Sequence, residues 1–304
     1  MVGSISHVRF VKIFFDHAVL PSMNLPQRAM LLSQSGPNAG KWLSAIPRDP
    51  STTIRPSRMQ VALRRRLRMP LPLAPRKCDG RTCRKLLDTL GDHRAACMRT
   101  GRVRRRAKPL ERIWARVLRE AGARVQEKVM LRDMGIPGVQ PADGRQLEIV
   151  ATGLPLEQGV PMAVDVTMVS ALHGDGTIWA DADTVPGVSI RRGERKKATT
   201  YPELVSSPLV RLVTLACEAG SRWSPQCCSL VQGFAAARAR SAPRVLQAAT
   251  RRAFAARWWS MLSCCQQDSF AASLLDEGLA LLDGCDGDDP CLFDVLVDDA
   301  RAAG

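Results

Sequence analysis

Met162-Ala163-Val164-Asp165-Val166-Thr167-Met168-Val169 is the stretch whose reading decides the fold. It is an apolar run of strand length, rich in β-branched residues. Alternation puts Asp165 and Thr167 on one face and Val164, Val166 and Met168 on the other. An aspartate inside such a strand is costly unless something pairs with it. Upstream, Gln146-Leu147-Glu148-Ile149-Val150-Ala151 repeats the pattern, with Glu148 facing one way and Leu147 and Ile149 the other. The loop 153–161 reads as a hairpin connection, which would set Glu148 beside Asp165. Adjacent carboxylates repel, and that makes a natural site for a divalent cation. Asp143, just ahead of the first strand, is a candidate third ligand. Metal-assisted phosphodiester hydrolysis also needs a cation on the phosphate or the attacking water. Lys197 and its neighbour Lys196, in a basic segment with helical potential over 187–200, are the candidates. The catalytic candidates are therefore Asp165, Glu148, Asp143 and Lys197, with magnesium on Asp165 and Glu148.

Working outward, 108–122 reads as a helix with Ile113, Val117, Leu118 and Ala121 on one face and Gly122 as its stop. Strands follow at 124–132, 146–151 and 162–169, then the segment 187–200, a strand at 208–216, and helices at 224–240 and 243–275. Ser241 and Pro243 mark the last start. This order predicts an α/β (α+β) fold, a mixed sheet flanked by helices. Five stretches are expected: a helical or irregular lead-in (1–70), a zinc knuckle (71–104), the sheet core (105–222), C-terminal helices (223–277) and an acidic, disordered tail (278–304). A basic helix over 55–68 closes the lead-in, ended by Pro70, Pro72 and Pro75.

Cys78, Cys83, His93 and Cys97 have the spacing C-x4-C-x9-H-x3-C. Two close pairs on short turns can supply a tetrahedron, and Cys3His is a standard structural zinc set with no open position. Arg76, Lys77, Arg81, Arg84, Lys85, Arg94 and Arg99 crowd around it; they favour thiolate and can meet phosphates. Two further pairs read as buried or incidental thiols, and Cys285 and Cys291 lie in the acidic tail with no third ligand type nearby. Cys227-Cys228 and Cys264-Cys265 are adjacent pairs in expected helices, where neighbours point apart. Trp258-Trp259 reads as helix packing, and His173 stands alone in a loop.

The chain of 304 residues has a formal net charge of +15. From Arg55 to Arg132 there are 24 Lys/Arg against 6 Asp/Glu, and from Asp276 to Asp299 there are 9 acids and no Lys/Arg. The first pattern points to a polyanion, DNA or RNA. No apolar run reaches membrane length and no secretory signal is visible. A reducing, intracellular setting is expected, with cysteines serving as metal ligands or buried thiols.

Several pieces together resemble the region that follows the reverse transcriptase in non-LTR retrotransposon polyproteins. They are Ser33-Gln-Ser-Gly-Pro-x-Ala-Gly-x-Trp-Leu43, Cys83-x4-Asp-x2-Gly-Asp-His93-x3-Cys97, Pro-Leu-Glu111 and Leu147-Glu148-Ile-Val-Ala-x-Gly-Leu-Pro. To these are added Ala163-Val-Asp165-Val-Thr167, Lys197-x3-Tyr201-Pro-Glu-Leu204 and Glu218-x-Gly-x-Arg-Trp223-Ser. The resemblance implies a CCHC-type knuckle before a restriction-endonuclease-like domain of the PD-(D/E)xK class, which nicks target DNA to prime reverse transcription. It implies that Asp165 is the metal-binding acid, that Glu148 or Asp143 fills the earlier acid position, and that Lys197 is a displaced catalytic lysine, because Thr167 occupies the usual place. A nuclear site of action follows. The first cysteine pair is wider than the family's, and no polymerase motif is present. A second reading is thus a zinc-containing, nucleic-acid-binding remnant without cleavage.

Overall fold

The computed structural model describes residues 19–154, 156, 159–278 and 289–303. Helix α1 (Leu25–Ser33) opens with Asn24 accepting from Gln27 N–H, a capping box. Helix α2 (Pro56–Arg66) follows, then the short α3 (Asp92–Ala96) and α4 (Ala107–Glu120). The strands are β1 (Arg124–Met130), β2 (Gln146–Thr152), β3 (Met162–Val169) and β4 (Arg211–Glu218). Helices α5 (Val188–Thr200) and α6 (Pro202–Val205) join β3 to β4. Helices α7 (Pro225–Ala239), α8 (Gln247–Leu275) and α9 (Leu292–Ala303) end the chain.

The sheet runs β1-β2-β3-β4, antiparallel across the first two pairings and parallel across the last. The expected mixed sheet flanked by helices is thus present. A parallel β3–β4 pair requires a crossover, and α5 and α6 supply it. One face carries Met162, Val164, Val166 and Met168 against α4, α7 and α8, with Trp114, Trp223 and Trp259 in edge-on contact at 6.2 and 5.4 Å. The other face carries Ala163 and Leu147 against Tyr201, Leu204 and Val210.

The alternation expected for β3 holds; that for β2 breaks. Leu147 packs on the α6 side while Ile149 packs in the opposite core. The β1–β2 register is even except that Lys128, which would face Glu148, is left-handed at φ 57° and leaves the ladder.

The tail also differs from expectation. Residues 292–303 form α9, held on α8 by buried Val295 with Leu292 and Leu296 beside it. Acidic residues did not prevent folding because the helix keeps an apolar stripe. Cys285 lies outside the described residues; Cys227, Cys264 and Cys265 are buried and outside any disulfide, Cys228 is half-buried and Cys291 exposed, and Trp258 and Trp259 are core. No helix among the described residues is long and apolar enough to cross a membrane.

Candidate functional site

Two clusters of ligand-type side chains are built. The first begins with a tight hairpin: Cys78 N–H donates to the Lys85 carbonyl (2.7 Å), Leu87 N–H to the Arg76 carbonyl (3.0 Å), and Cys83 N–H to Gly80 (2.9 Å). That turn offers Cys78 and Cys83. Asp88 then caps α3 through the N–H groups of Asp92 (2.9 Å) and His93 (2.7 Å), which presents His93 and, one turn on, Cys97. All four ligand atoms lie within 4.8 Å of one another.

The spacing fits a metal. A tetrahedron with zinc–sulfur bonds of about 2.3 Å and zinc–nitrogen of about 2.0 Å has edges of roughly 3.8 Å between sulfurs and 3.5 Å between sulfur and nitrogen. Cys78 and Cys97 Sγ are 3.8 Å apart, and Cys83 Sγ lies 3.3 Å from His93 Nε2. His93 Nδ1 meets the Gly174 carbonyl at 2.7 Å. A carbonyl can only accept, so Nδ1 carries the proton and Nε2 is left free to ligate. Burial pushes the Cys97 thiol up to about 11, so a metal here must release its proton. The cluster is thus a Cys3His site able to bind a metal such as zinc.

Arginines lock the knuckle to the rest of the chain. Arg68 grips Asp92 with two bonds of 2.6 and 2.5 Å, and buried Arg65 donates to the Leu90 carbonyl at 2.6 Å. Arg102 pairs with Asp79 and with Asp276 beyond α8, which also receives Arg76 and Arg94. Of the seven cations that crowd the cluster in sequence, Arg94 alone is buried; the other six are exposed. The cationic stretch is therefore partly internal: Arg58, Arg65, Arg94, Arg102 and Arg106 all lie inside the fold.

The second cluster is made by tertiary structure. The β2–β3 ladder ends at Ile149↔Val164, one step before Glu148 would face Asp165. There the Glu148 carboxylate takes the Val166 N–H at 2.5 Å in place of a backbone partner. Lys197 Nζ donates to Asp165 Oδ2 at 2.7 Å and sits 2.6 Å from Oδ1. Gly193 makes that reach possible. It is one turn before Lys197, and a Cβ there would come within 3.2 Å of Val169 and 3.4 Å of Thr167, so its bare backbone lets α5 settle on β3. Lys196 points out to solvent.

Electrostatics bind these residues together. Burial, then the charges of Asp165 and Glu111, push Glu148 up to about 8. Burial raises Asp165 as well, against the pull of Lys197. Tyr201, whose hydroxyl donates to the Gln146 carbonyl at 3.1 Å, is pushed to about 12 by burial and by both carboxylates. Glu111 is already paired with Lys108 at 2.8 Å, which leaves Glu148 and Asp165 against the single Lys197 in a poorly solvated place, an arrangement that a divalent cation relieves.

Of the sequence candidates, Glu148, Asp165 and Lys197 come together. Asp143 does not join them: it caps Arg145 N–H (2.7 Å) and is clamped by the Arg145 guanidinium, which also holds Glu203 and keeps the Asp143 carboxyl below its usual range. Glu111 was not assigned a role from sequence. Its signal was there: it shares the stripe of Ala107, Trp114 and Leu118 on α4, where an acid is out of place. Glu120, the other buried acid of α4, is a staple, accepting from Arg116 (3.0 Å), Arg257 (3.0 Å) and Trp258 (2.7 Å). His173 stacks on Trp179 with ring centroids 3.5 Å apart, and Arg192 covers the Trp179 ring at 4.0 Å. No family model, curated protein or solved structure matches the chain.

Proposed function

We propose that this chain is a retroelement-derived, divalent-metal-dependent endonuclease domain that nicks DNA. The observation that carries the reading is the convergence of Glu148, Asp165 and Lys197, with Glu111 added from α4. Glu148 and Asp165 are the residues that would hold a magnesium ion, with Glu111, paired to Lys108 at 2.8 Å, adding negative charge from α4. Such an ion, when bound, lowers the proton affinity of water and neutralises charge on a phosphate oxygen. Lys197, freed from one Asp165 oxygen, is placed to donate to the scissile phosphate or to hold the attacking water. The break in the β2–β3 ladder leaves these groups at a gap in the sheet rather than under it.

The knuckle supports the same reading. With zinc on Cys78, Cys83, His93 and Cys97, its rim presents Lys77, Arg81, Arg84, Lys85 and Arg99 to solvent, beside Leu86 at 71% exposure. Lysine and arginine on one face bind phosphates without regard to sequence. Work on chromosomal DNA places the protein in the nucleus after cytoplasmic synthesis.

The test is nicking of supercoiled plasmid with Mg2+. The wild-type chain is expected to convert plasmid to the open circle. Asp165→Ala should abolish this, and Lys197→Met should slow it by about 10²-fold or more. Equal rates in wild type and Asp165→Ala would sink the proposal. DNA binding without nicking in the wild type would identify a remnant that kept the grip and lost the cut.

A further inference from the structure

A second basic feature lies on α8, in the helical layer packed on the Met162–Met168 face of the sheet. A cleft of about 380 Å³ runs between the turn at Lys41 and helix α8, with Lys41, Arg251 and Arg252 on its walls, Asn38 and Gln232 as neutral donors, and buried Trp259 as its floor. No acid lines it. Among the described residues neither Lys41 nor Arg251 has an ion-pair partner. Unpaired like charges gathered around a cleft repel one another, and an anion relieves that cost.

An anion of this chain already sits at the rim. The next cleft along α8 shares Lys41 and adds Arg48, Arg257, Asp298 and Asp299. Asp298 of α9 pairs with Arg48, and Asp299 with Arg252 at 3.0 Å. Asp289, just before α9, pairs with Arg238 of α7. The remaining acid, Asp49, is occupied in capping its own turn through Ser51 N–H at 2.7 Å. The acids of α9 thus take Arg48 and Arg252, Glu120 holds Arg257, and Lys41 and Arg251 are left without an ion-pair partner among the described residues.

We infer that this cleft is a second binding surface for a nucleic-acid phosphate backbone, and that α9 competes for part of it. Two features favour a polyanion over a single small anion. The cations are spread along α8 and the Lys41–Arg48 segment rather than converging on one point, and their intramolecular partner is itself a row of acids. Binding here needs no cleavage chemistry and stands whether or not Lys197 and Asp165 act on DNA.

The experiment is the affinity of the full-length chain for a labelled DNA duplex and a labelled RNA, without Mg2+, over a range of salt. Lys41→Gln with Arg251→Gln should weaken binding and lower the salt slope by about two. Asp298→Asn with Asp299→Asn should tighten it by about threefold. The melting temperature of each variant is measured alongside, so that a folding defect is seen as one. An unchanged affinity and slope in the lysine–arginine double variant, with folding intact, overturns the site. Binding in the aspartate double variant that is no tighter overturns the competition. Competition by inorganic phosphate at the same concentration as nucleic-acid phosphate would show a simple anion site instead of a backbone track. Plasmid nicking in the Lys41/Arg251 variant reports separately on the carboxylate centre.

Discussion

The Cys3His knuckle and the carboxylate centre are both gatherings of metal-type ligands, yet they are closed in opposite ways. Cys78, Cys83, His93 and Cys97 come from twenty consecutive residues, point at one another and are completed by four donors. Glu111, Glu148, Asp165 and Lys197 come from two helices and two strands, and the lysine stands where a cation would otherwise be. Soft donors in a full tetrahedron hold a metal as a staple. Hard donors with an incomplete set, at a break in a ladder, leave room for water and a phosphate. On the proposed reading, the knuckle would keep a metal for shape and the carboxylate centre one for chemistry.

That contrast can be broken most forcefully at the knuckle. Cys97→Ser should lose the bound metal, and with it roughly 10–16 kcal/mol of apparent binding energy that orders the segment. Metal content per chain and protease cleavage within 71–104 check this; a metal-replete, protease-resistant variant refutes the assignment.

The carboxylate centre should instead be relieved by losing a ligand. Folded protein keeps a proton on Glu148 up to about pH 8, whereas the ordinary value is 4.5. Between those values the folded state holds more protons than the unfolded one, so stability of the metal-free protein falls as pH rises. Glu148→Gln should raise the melting temperature at pH 8, by roughly 2–4 kcal/mol in stability. Mg2+ should stabilise wild type at pH 8 and leave the glutamine variant little changed. A flat pH profile in wild type would remove the electrostatic basis of the site.

A smaller effect is expected at Gly193. Valine there must push against Val169 and Thr167, costing about 1–3 kcal/mol, and it lifts Lys197 off Asp165. Unfolding and nicking rates measured together check it; unimpaired nicking would mean that the close approach of α5 is dispensable. The smallest effect is at Asp143. Asp143→Asn should leave nicking within about twofold of wild type, since that side chain serves the half-buried Arg145 network away from Asp165. A large loss would return Asp143 to the site.

Much of this was legible before the structure. The apolar stripe of α4, the run of β3 and the hairpin to β2 fixed a mixed sheet, because side-chain period reports directly on which face is covered. The knuckle was legible because its ligands are near neighbours, and local turns alone bring them together. The convergence of Lys197 with Asp165 depends on how closely α5 packs on β3 and β4, including the close approach at Gly193, which the sequence does not display. The role of Glu111 depends on where α4 crosses the sheet. Period two puts Leu147 and Ile149 on one face, whereas Leu147 packs with Tyr201 and Ile149 in the opposite core; the left-handed Lys128 opposite Glu148 marks the irregularity on the neighbouring strand and leaves no sign in the sequence of β2. Asp143 was drawn in by proximity, but an arginine two residues on had the better claim. The folding of α9 was hidden by its charge: counting acids missed that Leu292, Val295 and Leu296 share a side.

The hydrogen bond from His93 to the Gly174 carbonyl reaches past the knuckle. Gly174 lies in the loop that leaves β3, the strand of Asp165, and the arginines around the same cluster are tied to Asp276 at the far end of α8. The knuckle is therefore not a portable module. Moved alone to another protein it would lose the acceptor that sets its histidine, and removed from this one it would leave β3 and α8 without their shared anchor. Inheritance and engineering alike must carry the stretch from α2 through Asp276 as one piece.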